Sequence, residues 1–167
     1  MVFGLSLAAF TFLHVLFSLT AIASGVVVVA GMLRADRLGG WTAIFLALTM
    51  LTSLTGFLFP IKDFTPALGT GIVSVAILLV ALWALYGGHL TGAWRWIYVV
   101  SAVAALYLNV LVLIVQAFLK VPPLHALAPK GSEPPFVATE ALALIGFAVL
   151  GLLALRRFYP AKPAPAL

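Results

Sequence analysis

Cysteine is absent from this chain, and its 167 residues include only four Asp and Glu. Without a thiol there is no disulfide, no thiolate metal ligand, no iron–sulfur cluster and no cysteine nucleophile. Charge of either sign is scarce: 8% of residues are charged and 65% are hydrophobic, with a mean hydropathy of +1.25. Soluble domains carry about 25% charged and roughly 45–50% apolar residues. The composition therefore excludes an ordinary soluble domain and describes an integral membrane protein whose first partner is the lipid bilayer. Nine Lys and Arg give a net charge of +5. They are scattered over several loops and the tail with no run anywhere, a pattern that sets topology and gives no reason to expect a nucleic-acid partner. The longest polar interval, Lys120 to Pro135, is proline-rich. The chain reads as a single transmembrane helical domain, 1–167.

Long apolar runs fill the space that charge leaves. Spans are predicted at about 2–33, 41–59, 66–86, 93–119 and 136–155, with Pro60 closing the second, Gly87 and Gly88 the third, and Ser132, Glu133, Pro134 and Pro135 opening the fifth. Each is long enough to cross about 30 Å of hydrocarbon. In lipid every backbone group needs an internal partner, and no ten-residue alternating strand pattern occurs, so a β-barrel is excluded. The expected fold is an all-α bundle of five transmembrane helices. Ala21-Ile22-Ala23-Ser24 mimics a signal-peptidase site. No Lys or Arg precedes Arg34, however, and the apolar run continues to Leu33, so the first segment is expected to stay as a helix.

Arg34, Arg37, Arg95, Arg156, Arg157 and Lys162 fall on one side of this layout, and Lys62, Lys120 and Lys130 on the other. That bias puts the N-terminus outside and the C-terminus in the cytoplasm of a bacterial-type inner membrane. Trp41, Trp83, Trp94, Trp96, Tyr86 and Tyr159 then gather near the cytoplasmic boundary as an interfacial belt. A first helix of about 30 residues rises roughly 45 Å, so it must tilt or project.

Within the first span, Gly4, Thr11, Ser18 and Gly25 recur every seven residues, with His14 and Ala21 beside them. Such a small, polar stripe should face protein, and an ionisable group inside a span is a functional-site hypothesis. Other polar residues are expected at the level of His14. They are Thr49, Thr52, Ser53 and Gly56 in the second helix, Ser101, Asn109 and Gln116 on one face of the fourth, and Glu140 near the outer end of the fifth. The outer connections add Lys62, Asp63, Lys120, His125 and Glu133. His14, Asn109, Gln116, Glu140 and His125 are the candidate ligand-binding set. Each also has a plain packing role available: Ser, Thr, Asn and Gln in membrane helices serve as interhelical hydrogen-bond partners, and a neutral imidazole needs only a donor and an acceptor.

The motifs of common chemistries are missing. There is no HExxH, no histidine pair four apart and no GxSxG elbow. A b-type haem needs two facing axial ligands, and the helices supply only His14, leaving His125 from the loop, or a weaker ligand, as the second. His14, His125 and Glu140 could otherwise hold a metal ion. A transporter reading meets an odd helix count with no inverted repeat, and so short a chain would need to oligomerise.

His14 through Gly25, Gly31-Met32-Leu33-Arg34, Gly39-Gly40-Trp41, Leu54-Thr55-Gly56-Phe57, Trp83-Ala84-Leu85-Tyr86 and Trp94-Arg95-Trp96 together resemble a bacterial family of small uncharacterised multi-helix membrane proteins. The layout of that family is similar to the b-type diheme cytochromes. The resemblance covers about residues 10–120 and implies haem ligation and electron transfer. It also implies histidines near the starts of the second and fourth helices, where this chain has none; His14 alone matches. The expected function is binding of a small molecule, a quinone-like group or an ion in an outward-facing polar pocket, as an accessory to respiratory electron transfer rather than as an enzyme. The alternatives are a structural or assembly subunit of a larger membrane complex and, third, a small homo-oligomeric transporter.

Overall fold

The computed structural model describes residues 4–60 and 65–159. Helix α1 (Leu7–Leu33) starts five residues later than its apolar run suggests, because Ser6 caps it: the Ser6 hydroxyl accepts from the Ala9 amide at 3.2 Å. Its 27 residues still rise about 40 Å, more than the hydrocarbon thickness. A turn of residues 34–38 leads into α2 (Gly39–Gly56). Leu38 takes the left-handed conformation there, at φ 40°, and lays its side chain against α1; a Cβ on Gly31 would stand 2.6 Å from Leu38 Cδ1. Helix α2 stops at Gly56, ahead of the expected end at Phe59.

Helix α3 (Pro66–Leu82) has Pro66 in its first turn and Thr65 as its cap, the Thr65 hydroxyl accepting from the Leu68 amide at 3.2 Å. It runs on into a single π-helical turn, Trp83–Gly87. Helix α4 (Ala93–Lys120) is followed by a short helix the sequence does not announce, α5 (Pro122–Leu127), nucleated by the Pro-Pro pair. Helix α6 (Pro134–Arg157) is introduced by Glu133, whose carboxylate accepts the Lys130 and Ser132 amides, each at 3.0 Å. Desolvation would raise this carboxyl, but the amide donors outweigh it and hold Glu133 below the ordinary carboxylate value. The long helices α1, α2, α4 and α6, and α3 together with its π-helical turn, are each long and apolar enough to cross a membrane, and the described residues contain no strand.

Helix α4 is the axis, touching each of the other helices. Helices α1 to α3 pack beside it, α1 against α2 and α2 against α3, and α6 lies outside on α4 and α1. The packed core occupies one end: Val28 and Met32 of α1, Phe45 and Leu46 of α2, Leu78 and Ala81 of α3, Tyr98 to Leu106 of α4, and Ala154 and Phe158 at the end of α6. Trp41, Trp83, Trp96, Tyr86 and Tyr159 stand exposed around this end, with Trp94 half-buried. The tail of α6 is tied there by Arg95, whose guanidinium donates to the Leu155 and Phe158 carbonyls, both at 3.0 Å, and to the Tyr159 hydroxyl at 3.2 Å. A cation on the last carbonyls of a helix satisfies orphan acceptors and opposes the helix dipole. Towards the opposite end, where α1, α3 and α6 begin and α2 and α4 finish, the helices part.

Candidate functional site

The parted end encloses a cavity of about 680 Å³. Beyond it, towards the packed end, α1 runs close to its neighbours: a Cβ on Gly25 would lie 2.6 Å from Leu106 Cδ1 and 2.8 Å from Phe45 Cε2. Thr11, His14 and Ser18 of α1 face the cavity, joined by Thr52, Ser53 and Gly56 of α2. Thr70 and Ser74 come from α3, and Asn109, Gln116 and Lys120 from α4. Val15, Phe57, Phe59, Leu68, Leu108 and Val112 make the remaining wall chiefly hydrocarbon. A cavity of several hundred Å³ with apolar walls and a few convergent polar groups has the form of a small-molecule site.

Hydrogen bonding decides which of these groups are free. Asn109 donates through Nδ2 to Thr49 Oγ1 at 3.1 Å, and Ser53 donates to the Thr49 carbonyl at 2.9 Å while standing 3.0 Å from Ser74 Oγ. These residues join α2 to α3 and α4 at the cavity wall. His14 is placed differently. Its Nδ1 lies 2.8 Å from Thr55 Oγ1, and the single Thr55 proton already points to its own helix, with the Leu51 carbonyl at 2.7 Å and the Thr52 carbonyl at 3.1 Å. With that proton kept on its own helix Thr55 accepts, and the matching tautomer of His14 carries its proton on Nδ1 and presents Nε2 as an acceptor. Phe59 holds the ring from the side, edge to face at 5.2 Å between centroids. Two enclosed oxygens on the same wall, Gln116 Oε1 and Thr52 Oγ1, have no hydrogen-bond partner among the described residues.

The predicted set divides. His14, Asn109 and Gln116 meet at the one cavity. Glu140 does not join them: it lines a neighbouring pocket of about 460 Å³ between α4, α6 and the start of α3, on the far side of Gln116, which borders both. Helix α6 packs on the outer flank of α4, so its carboxylate cannot reach the interior that α1, α2 and α3 surround. His125 lies outside both; exposed on α5, it directs Nδ1 to the Phe118 carbonyl at 3.3 Å. Lys62 and Asp63 fall outside the described residues. Thr55, the partner that orients His14, was not singled out as a site residue, nor was the α3 wall, although Thr70 and Ser74 stand four apart and announce a polar face.

Neither of two implied groups finds its ligands. His14 is the only histidine on the cavity, His89 lies in the turn at the opposite end, and His125 is on the outside of the loop, so the residues do not fit a bis-histidine haem. Among the described residues no three of His, Asp and Glu gather in a way that could hold a metal ion. The fold and cavity define a multi-pass helical membrane protein with an amphipathic internal cavity. Comparison with protein-family models, with curated proteins and with solved structures gives no match.

Proposed function

We propose that this protein binds a small amphipathic molecule, a quinone-like ring bearing hydroxyl groups, in the His14 cavity, as an accessory to respiratory electron transfer. The observation that carries the reading is the pairing of apolar walls with acceptors that lack donors: His14 Nε2, Gln116 Oε1 and Thr52 Oγ1. Buried polar groups are ordinarily satisfied, so unpaired acceptors on a cavity wall suit a ligand that brings its own donors. A hydroxylated ring does so. Its O–H groups donate to His14 Nε2 and Gln116 Oε1, the ring rests against hydrocarbon, and Lys120 at the wall serves an oxygen that remains an acceptor. An imidazole with a bare Nε2 can also take a proton from such a hydroxyl and hold it. The bias of basic residues turns the cavity towards the outer face of a bacterial-type inner membrane.

The test is to purify the full chain in mild detergent and to extract and identify bound lipophilic compounds by absorption and mass spectrometry. A ring compound near one per chain is expected. His14→Phe keeps a flat ring against Phe59 but deletes both nitrogens; it should lose the compound while stability falls by only about 1 kcal/mol, the scale of one intramembrane hydrogen bond. A colourless, ligand-free preparation that copurifies with a larger complex would overturn the proposal in favour of a structural or assembly subunit.

A further inference from the structure

The second pocket has a chemistry of its own. It lies between α4 and α6, walled by Tyr107, Leu111, Phe136 and Leu144, with Thr70 at its α3 edge. Both oxygens of Glu140 are enclosed there, and neither has a hydrogen-bond partner among the described residues; Gln116 Oε1, on the shared wall, is in the same condition. An acidic group inside a membrane span is costly unless something pairs with it. With Glu140 ionised, every unsatisfied atom here is an acceptor, so the missing partner is a donor, and the carboxylate asks that it be positive.

A bare metal ion does not suit the walls. Hard cations take six or more oxygens, whereas the side chains of this pocket add to Glu140 only Gln116, the Tyr107 hydroxyl and a Thr70 hydroxyl already donating to the Pro66 carbonyl at 2.9 Å. Carbon makes up the rest, including the rings of Tyr107 and Phe136, which attract an organic cation through their faces. The volume, about 460 Å³, is that of a molecule of one or two rings. We infer that the α4–α6 pocket is a second binding site, for a lipophilic ammonium cation whose N–H groups pair with Glu140 and Gln116 and whose hydrocarbon lies against Tyr107 and Phe136. Glu140, Tyr107 and Phe136 belong to this pocket and not to the His14 cavity, while Gln116 stands on the wall the two share.

The experiment uses the full chain in nanodiscs of zwitterionic phosphatidylcholine, titrated with 1-naphthylmethylammonium and followed by naphthalene fluorescence, with empty nanodiscs correcting for partition. Saturable binding of one probe per chain is expected, and the uncharged analogue 1-naphthylmethanol should not compete. Glu140→Gln should weaken binding at least about tenfold, the loss of one charged hydrogen bond. Ala141→Trp, at an exposed position on the pocket rim, leaves the carboxylate in place but fills the space and should do the same. His14→Phe should hold the affinity within about twofold, as separate sites do, even where it empties the first cavity. Binding no greater than to empty discs, equal competition by the alcohol, or full affinity in Glu140→Gln would overturn the inference. A loss in His14→Phe as large as in Glu140→Gln would overturn it too, by showing a single common cavity.

Discussion

Single side chains in this bundle are set by what their neighbours have already committed. Where Thr55 gives its one proton to its own helix, the matching tautomer of His14 is the Nδ1–H donor with Nε2 as acceptor. Leu54-Thr55-Gly56-Phe57 stands out in the sequence, yet no spacing rule shows that its hydroxyl lies 2.8 Å from a histidine 41 positions earlier. Gly25 is the opposite case. Its place on the small-residue stripe of α1 is visible from the sevenfold spacing, and the structure adds that Leu106 and Phe45 close over it within 2.6–2.9 Å of any Cβ. Gly25→Val should therefore force α1 away from α2 and α4. A loss of about 1–3 kcal/mol, typical of overpacking, should be measurable as a lower midpoint in detergent thermal melts, and an unchanged midpoint would show that the contact yields freely.

Among the five long helices, α6 has the fewest ties. Its one buried residue is Ala154, and Leu142, Ile145, Val149 and Leu152 of the same helix are exposed where lipid would cover them. Arg95 compensates at one end by holding the Leu155 and Phe158 carbonyls, with Tyr159 stacked 4.0 Å from the guanidinium carbon. Arg95→Ala should loosen the tail of α6 at a cost of about 1–2 kcal/mol, the range for a cation at a helix C-terminus. Because the chain has no cysteine, a single cysteine placed at Leu155 can report this directly: maleimide labelling should be faster in the Arg95→Ala background, and equal rates would remove Arg95 from its anchoring role. In the sequence Arg95 reads only as a topology charge between two tryptophans. Its second role depends on α6 returning to the first turn of α4, a contact 60 residues apart.

For the whole molecule, the packed end and the hollow end coincide with the two poles of the charge bias. The basic pole, with Arg34, Arg37, Arg95, Arg156 and Arg157, is the packed one. A reporter fused after Leu167 should read cytoplasmic and one inserted between Lys120 and Pro135 external; the reverse pattern would turn the cavity to the cytoplasm and undo its outward assignment. The five spans and their approximate limits were legible in the sequence alone, because transfer of a helix into lipid depends on hydrophobicity summed along the chain, a local quantity. So were the polar faces of α1, α2 and α4, since helical periodicity is local too. Which faces meet depends on how the helices pack around α4. Packing parted His14 and Asn109 from Glu140, left Gln116 on the wall between them, brought Thr70 and Ser74 into the wall, and added α5. Cavities are the space that side chains from distant segments fail to fill, so one polar cluster in the sequence became two pockets in the fold.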